Sequence, residues 1–538
     1  MPLDAKAVMR RMGTLKSART THESHWQEVA DYTIPSRQFT RGYSPGAKRN
    51  TLIFNTHPVL ANEQLAGGLH GMLVSPALRW FALRPLPHMA RDSQVREWFD
   101  AATTAMFEHM QSPRSGFAAA MHEGFLDIAA FGNGTTFIAD RGLRGPRYQA
   151  IPLLERYIAE NDDGEIDTLY RSYQMAAREI VRRWPGTAPE RVRKTAESQP
   201  DAKIEVIHAT EPSSSGASRF AAGTGATSWD TSWICGHDVL EDSRFREFPF
   251  AAARWAKRSG EVDGAGPGMN ALPDVKMLNK IEETYARGMA KAVDPATFMP
   301  SDGFLNSPNF NPNAINYYDI GQWRGQNPIF TPPAGNPMLA HQYVELVQGR
   351  ISDLYYVTWL RLPQQPNMTA TEVLQRRDEL LRLLGPMVSR LEAELLGPCI
   401  ERSLAIMLRN GLFPPLPPQL RGQGWGVEYL GPLSRAQRQA DADTVMRWFA
   451  SMQPLVQADP DVLLAIDTDE AARFLADRHG APTVLVRSAD ELARIRADRA
   501  NAQAMQAQAV ALREGAGAAK DGASAIATLA GIEGGMAA

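Results

Sequence analysis

Four cations in one stretch have the spacing to do chemistry together. Lys276, Lys280, Arg287 and Lys291 follow one another at intervals of 4, 7 and 4 residues. At about 100° per residue on a helix they fall within roughly a 60° sector. Leu278, Ile281, Tyr285 and Met289 gather on the opposite side. One face would pack and the other would present a row of positive charge. Such a row suits phosphate oxygens of a nucleic acid. It equally suits solvent, or carboxylates such as Glu282 and Glu283 on a neighbour.

A second polar group lies in the segment Leu360-Arg361-Leu362-Pro363-Gln364-Gln365-Pro366-Asn367-Met368. Its prolines exclude a helix and stiffen a loop. Arg361, Gln364, Gln365 and Asn367 would be its contact residues if it projects from the tips of the helices it joins.

Catalytic patterns are missing from the sequence. It contains no G-x-x-x-x-G-K-[ST], no H-E-x-x-H, no G-x-S-x-G and no C-x-x-C. His22-Glu23-Ser24-His25 is one residue short of a zinc helix. Gly264-Ala265-Gly266-Pro267-Gly268 resembles a phosphate cradle, but Pro267 removes an amide donor, so a flexible hinge is expected there. Asp162, Asp163 and Glu165 read as a hairpin turn, and Asp467, Asp469 and Glu470 as a helix start, where acids suit the positive dipole end. The expectation is no enzyme, no catalytic residues, no metal and no cofactor.

Composition agrees. Of 538 residues, 44% are hydrophobic and 22% charged, so the bulk is globular. The length corresponds to about three or four domains. With 57 basic and 60 acidic residues the net charge is −3, so any contact with DNA is local or weak. Cys235 and Cys399 are the only cysteines and form no disulfide framework or metal spacing. There is no signal-peptide pattern and no apolar run near the roughly 18 residues a membrane span needs.

The elements that must hold these groups follow from periodicity. Helices are expected over 5–33, 58–72, 92–110, 116–131, 175–184, 274–293 and 337–357, with Pro35 and Pro185 as stops. Short antiparallel strands are expected over 135–170, preceded by the turn signal Gly132-Asn133-Gly134 and interrupted by a second, Asn161-Asp162-Asp163-Gly164. Residues 186–268 read as a loop-rich insertion containing strands. A capping box, Thr369-Ala370-Thr371-Glu372, opens another helix, which Gly385-Pro386 should kink or break. Further helices are expected at 399–409, 434–458, 468–478 and 490–508. From Ala509 the chain is rich in Ala, Gly and Gln and reads as disordered.

Several segments, in order, resemble the portal (head-to-tail connector) family of T7-like podoviruses. They are Ser75-Pro76-Ala77-Leu78-Arg79-Trp80-Phe81, Phe245-Arg246-Glu247-Phe248-Pro249-Phe250, Gly266-Pro267-Gly268, and Leu272-Pro273-Asp274-Val275-Lys276. Thr331-Pro332-Pro333-Ala334-Gly335-Asn336, Met368-Thr369-Ala370-Thr371-Glu372-Val373 and Leu395-Leu396-Gly397-Pro398 continue the series. The resemblance covers about residues 1–500 and leaves out the Ala/Gly-rich tail. Each motif alone is weak; their order and spacing carry the likeness.

That likeness implies an α+β portal fold that forms a ring. Residues 1–170 would be a mixed α/β wing, 171–185 and 269–293 two stem helices, and 186–268 a small β-containing clip. Residues 294–335 would return to the wing. Residues 336–399 would be long helices flanking a tunnel loop at 360–368, and 400–508 a helical crown, with the disordered tail at 509–538. The implied function is a channel at one capsid vertex for DNA packaging, retention and ejection and for tail attachment. Implied partners are further copies (a dodecamer), double-stranded DNA, a terminase motor, tail adaptor proteins, and major capsid and scaffolding proteins, with no membrane. The place would be the virion, after assembly in the host bacterial cytoplasm. Lys276, Lys280, Arg287, Lys291, Arg361, Gln364, Gln365 and Asn367 become candidates for lining the DNA channel. The alternatives are another head–tail structural protein, such as an adaptor or ejection protein, and a DNA-acting hydrolase.

Overall fold

The structure, a computed structural model, describes residues 3–40, 46, 48–89, 92–213, 228–294, 296–301, 309, 311, 314–319, 337–360, 382–420, 422–459, 466–479 and 491–506. The first helix, α1 (Ala5–Thr33), is capped by Asp4, whose carboxylate accepts from the Lys6 amide at 3.2 Å. Val8, Met12, Trp26, Val29 and Ala30 are its buried apolar stripe. α2 (His57–Leu73) starts with Pro58 in its first turn, and α3 spans Ser93–Gln111. α4 (Phe117–Phe131) ends at Gly132 with φ 74°, the left-handed position that spares glycine a steric penalty.

Beyond α4 the chain turns to strands. β1 (Phe81–Pro85) lies upstream of α3; β2 (Asn133–Asp140), β3 (Pro146–Ala150), β4 (Arg156–Glu160) and β5 (Ile166–Ala176) follow α4. β6 (Lys203–Pro212), β7 (Trp229–Cys235), β8 (Asp238–Phe245) and β9 (Phe250–Arg254) complete two antiparallel sheets. One has the order β4-β5-β6-β7-β8 and the other β3-β2-β9. The first half of α1 covers the larger sheet, with Ala5, Val8 and Met12 on Tyr157, Tyr170, Ile207 and Ile234.

Two expectations for this region change. Residues 175–184 were expected to be helical throughout, but β5 runs to Ala176 and only α5 (Ala177–Arg183) is helical. Eight consecutive residue pairs, from Leu169↔Thr210 to Ala176↔Lys203, hold Met175 and Ala176 in the ladder. A stem-length helix is therefore not what these residues form. Residue 186 is also no boundary in contacts, because after α6 (Glu190–Ser198) strands β6 to β8 extend the sheet begun at β4.

β10 (Ala256–Lys257) and β11 (Gly264–Ala265) lead into α7 (Pro267–Val293), which begins seven residues before the expected start and carries Pro273 inside it. The expected hinge at 264–268 is instead a tight crossing. A Cβ on Gly266 would lie 2.3 Å from the Gly132 nitrogen, and one on Gly268 would lie 2.5 Å from the Ala130 carbonyl oxygen. The glycines here permit close backbone approach, not motion. β12 (Thr297–Ser301) and β13 (Ile315–Asp319) pair in parallel.

α8 (Pro337–Leu354) and α9 (Val357–Leu360) precede α10 (382–391). Gly385-Pro386 lies within α10 without breaking it. The irregularity sits later, as a π-helical turn at Glu392–Leu396 before α11 (Gly397–Arg409). Pro398 has no N–H to give the Glu394 carbonyl; the Gly397 N–H reaches Glu392 instead, and Tyr429 Oη donates to the same carbonyl at 3.0 Å. β14 (Trp425–Tyr429) then pairs antiparallel with β1. The main core joins α2, α4, α7, α8, α10 and α11 through residues such as Leu65, Phe125, Val275, Val347, Leu391 and Ile400.

The chain divides into two compact units, residues 1–90 with 94–434, and 91–93 with 435–538. Residues 400–434, expected to open a crown, belong to the first. The second contains most of α12 (Pro432–Ala458), α13 (Thr468–His479) and the helix 491–506. There Asp467 caps α13 by accepting from the Asp469 and Glu470 amides at 3.1 and 2.9 Å, as the acidic cluster at a helix start requires. The tail 509–538 lies outside the described residues. Among the described residues no helix is long and apolar enough to cross a membrane. The architecture is α+β.

Candidate nucleic-acid interface

The first half of α7 is anchored by its apolar stripe. Met269, Leu272, Val275 and Leu278 are buried, against α1, α4 and α8. α8 runs antiparallel to it, with Arg350 paired to Asp274 and Tyr343 Oη near Met277 Sδ at 3.9 Å. A loop straps the next turn. Asn279 accepts from the Phe54 amide at 2.7 Å and donates to the Leu52 carbonyl at 2.7 Å, and Asn55 donates to Glu282 at 2.9 Å. Beyond that strap the helix is largely exposed, and its stripe ends on Met289 at 38% and Val293 at 80% exposure.

The four cations share the outward face, as their spacing predicted, but three of them are paired with carboxylates. Lys276 Nζ is 2.6 Å from Glu28 of α1. Lys280 and Arg287 converge on one carboxylate, Glu283, at 2.9 and 2.6 Å. That double contact, chiefly the Lys280 hydrogen bond, holds the Glu283 carboxyl below its ordinary pKa, so it stays ionised at neutral pH. Lys291 is exposed, with no carboxylate partner among the described residues. The acid expected on a neighbour is thus supplied by the same helix, at the i+3 and i−4 positions where helical neighbours meet. Arg361, Gln364, Gln365 and Asn367 lie outside the described residues, as does the capping box at 369–372.

Sequence reading missed a set of buried arginines that fix the body carrying α7. Arg156 donates to Asn133 at 2.7 Å, Thr135 at 3.0 Å and Asp263 at 2.6 Å. Arg254 meets Glu394, Glu160 and the Gly164 carbonyl. Arg402 donates to the Ile138 carbonyl at 2.8 Å and the Glu247 carbonyl at 2.9 Å. Arg19 of α1 stacks over Tyr157 at 3.8 Å and donates to the Leu154 carbonyl at 2.9 Å. Each joins segments far apart in sequence, and no local pattern marks them. Among the described residues, no three His, Cys, Asp or Glu side chains gather as a metal site would need.

Known proteins sharpen this picture. The sequence model of the bacteriophage head to tail connecting protein family matches residues 5–486. The chain is 28% identical over 530 residues to the probable portal protein of Bordetella phage BPP-1, covering 95% of this chain and 94% of that one. It is 27% identical over 528 residues to the portal protein of Salmonella phage epsilon15, with the same coverage of 95% and 94%. A solved chain from the virion of a native gene transfer agent particle aligns over 77% of this chain and 92% of its own, at 11% identity and a TM-score of 0.35, too distant to carry an argument. With the family match running from the first turn of α1 past the end of α13, this chain belongs to the bacteriophage head to tail connecting protein family.

Proposed function

We propose that the chain is one subunit of a portal ring, twelve-fold, at a single capsid vertex of the virion. The ring admits duplex DNA during packaging, retains it, releases it at ejection and receives the tail. It performs no chemistry; a separate ATP-hydrolysing terminase drives the DNA. Its other partners are tail adaptor, major capsid and scaffolding proteins, and it assembles in the host bacterial cytoplasm. In cyclic symmetry each subunit contact is heterologous, so the two contacting surfaces need not match themselves.

The observation that carries this reading is the likeness to two phage portal proteins over 95% of the chain, both units included. The outward row of α7 supports its DNA-facing part, because a channel must pass a polyanion without gripping it. Arg361, Gln364, Gln365 and Asn367 of the tunnel loop would touch the same DNA. Wing, stem, clip and crown are proposed as the segments of that ring, the crown over residues 400–508. Negative-stain microscopy of the purified chain, with its mass by light scattering, tests the proposal. Rings with a central hole and a mass near twelve subunits are expected. A monomer at every concentration and salt, with or without scaffolding protein, would overturn it in favour of another head–tail structural protein.

A further inference from the structure

The cations of α7 and the acid between them are built unequally. Lys280 and Arg287 side chains are 71% and 72% exposed, whereas the side chain of Glu283, which holds both, is only 17% exposed. Glu283 therefore draws two long side chains down along the helix surface. It accepts from Lys280 Nζ at 2.9 Å and from Arg287 Nη2 at 2.6 Å, one on each carboxylate oxygen. Glu28 on α1 performs a different task, since its contact with Lys276 at 2.6 Å ties two helices together. Glu283 ties nothing together, because both of its partners lie within one turn on its own helix.

We propose that Glu283 is an attenuator of DNA retention: it occupies Lys280 and Arg287, two of the four cations of the α7 row, so that duplex phosphates pass over them without being held. The proposal rests on the reading that this row faces DNA. Affinity for duplex DNA grows with the number of phosphates neutralised, and each one adds about 0.9 to the slope of log K against log salt. A cation already engaged by a carboxylate contributes less to that sum. In a ring the effect recurs in every subunit, so a single acid per chain tunes the drag of the whole channel.

The test measures binding of the full-length chain to a labelled 30-base-pair duplex over a salt series. Wild type, Glu283→Gln, Glu283→Ala, Lys280→Gln/Arg287→Gln and the triple variant adding Glu283→Gln are compared, with assembly mass checked for each. Both Glu283 variants should bind about threefold or more tighter at 100 mM salt, with a slope steeper by about one. The gain should vanish in the triple variant. If Lys280→Gln/Arg287→Gln weakens binding while neither Glu283 variant changes it, the attenuator is wrong and the DNA-facing reading stands. A gain that persists in the triple variant overturns the attenuator too, as an effect of overall charge. If removing Lys280 and Arg287 leaves binding unchanged, the DNA-facing reading of the row fails and the attenuator falls with it.

Discussion

Arg254 of β9 and Glu394 of the π-helical turn meet across 140 residues of sequence through three hydrogen bonds. The Arg254 amide donates to Glu394 Oε2 at 2.9 Å, its Nε to the same oxygen at 3.1 Å and its Nη2 to Oε1 at 2.7 Å. The Arg254 side chain is 2% exposed. Breaking a buried pair costs up to about 3–5 kcal/mol when a charge is left alone, and here Glu160 stays on Arg254, so only part of that cost is expected. Glu394→Gln should therefore lower the thermal midpoint of the first unit. Arg254→Met/Glu394→Gln should recover part of the loss, since Glu160 keeps Lys257 at 2.8 Å and a side-chain oxygen at position 394 can still accept from the backbone amide of residue 254.

Gly132 is irreplaceable for two reasons at once. Its φ is 74°, and a Cβ there would lie 2.2 Å from the Ala265 carbonyl carbon. Gly132→Ala is expected to cost at least about 2 kcal/mol, measured as a lower melting midpoint. Gly67, on the open face of α2, has nothing within 4 Å of a Cβ. Gly67→Ala should be neutral or stabilise by up to about 1 kcal/mol through helix propensity.

His208 of β6 gives the fold an acid sensitivity. It is fully buried, stacked on Trp233 with ring centroids 4.2 Å apart, and 2.9 Å from the Thr231 hydroxyl. Burial first, then Arg171 and Arg183, hold its pKa well below 6.5. The folded state therefore keeps it neutral, while the unfolded chain takes up a proton below about pH 6.5. Stability contributed by neutral His208 is complete above that value and is lost as pH falls through it. Melts between pH 7.5 and 5 should show the decline, and His208→Gln should flatten it. An equal slope in the variant would place the sensitivity elsewhere.

Both thiols should be silent in the native state. Cys235 is 1% exposed and Cys399 is fully buried, and burial raises the pKa of each. A thiol reagent should label neither within minutes at pH 8 in buffer and both in denaturant. Fast labelling of Cys399 in buffer would mean that α11 opens locally far more often than its packing implies.

The helices were legible because their apolar residues recur at helical spacing. α1, α2 and α4 lie close to where periodicity put them, and α7 ends where expected but starts seven residues earlier. α5 was overestimated because Met175 favours a helix locally, whereas the β5–β6 ladder is settled by residues some thirty positions away. The row on α7 was legible as a face, but its acid was expected on a neighbour, whereas Glu283 meets Lys280 and Arg287 on the same helix. The row's tie to Glu28 was not legible, because nothing in either helix alone names the other as a neighbour. The buried arginines were invisible for the same reason: Arg156 sits in an ordinary strand sequence, and its partners come from β2 and from Asp263.

The pairing of β1 with β14 sets an order of events in synthesis. Arg84 finds Glu428 at 2.7 Å, 344 positions downstream, and the Leu430 amide closes the ladder on the Trp80 carbonyl at 2.7 Å. A chain emerging from the ribosome carries β1 without its hydrogen-bonding partner through most of translation. Until residues 425–429 appear, that strand is an open edge able to template pairing with another chain. Fragments ending before Trp425 should accordingly be prone to aggregate, and those reaching past Leu430 should not. The last strand of the first unit thus acts as its latch, shut only when about four-fifths of the chain has been made.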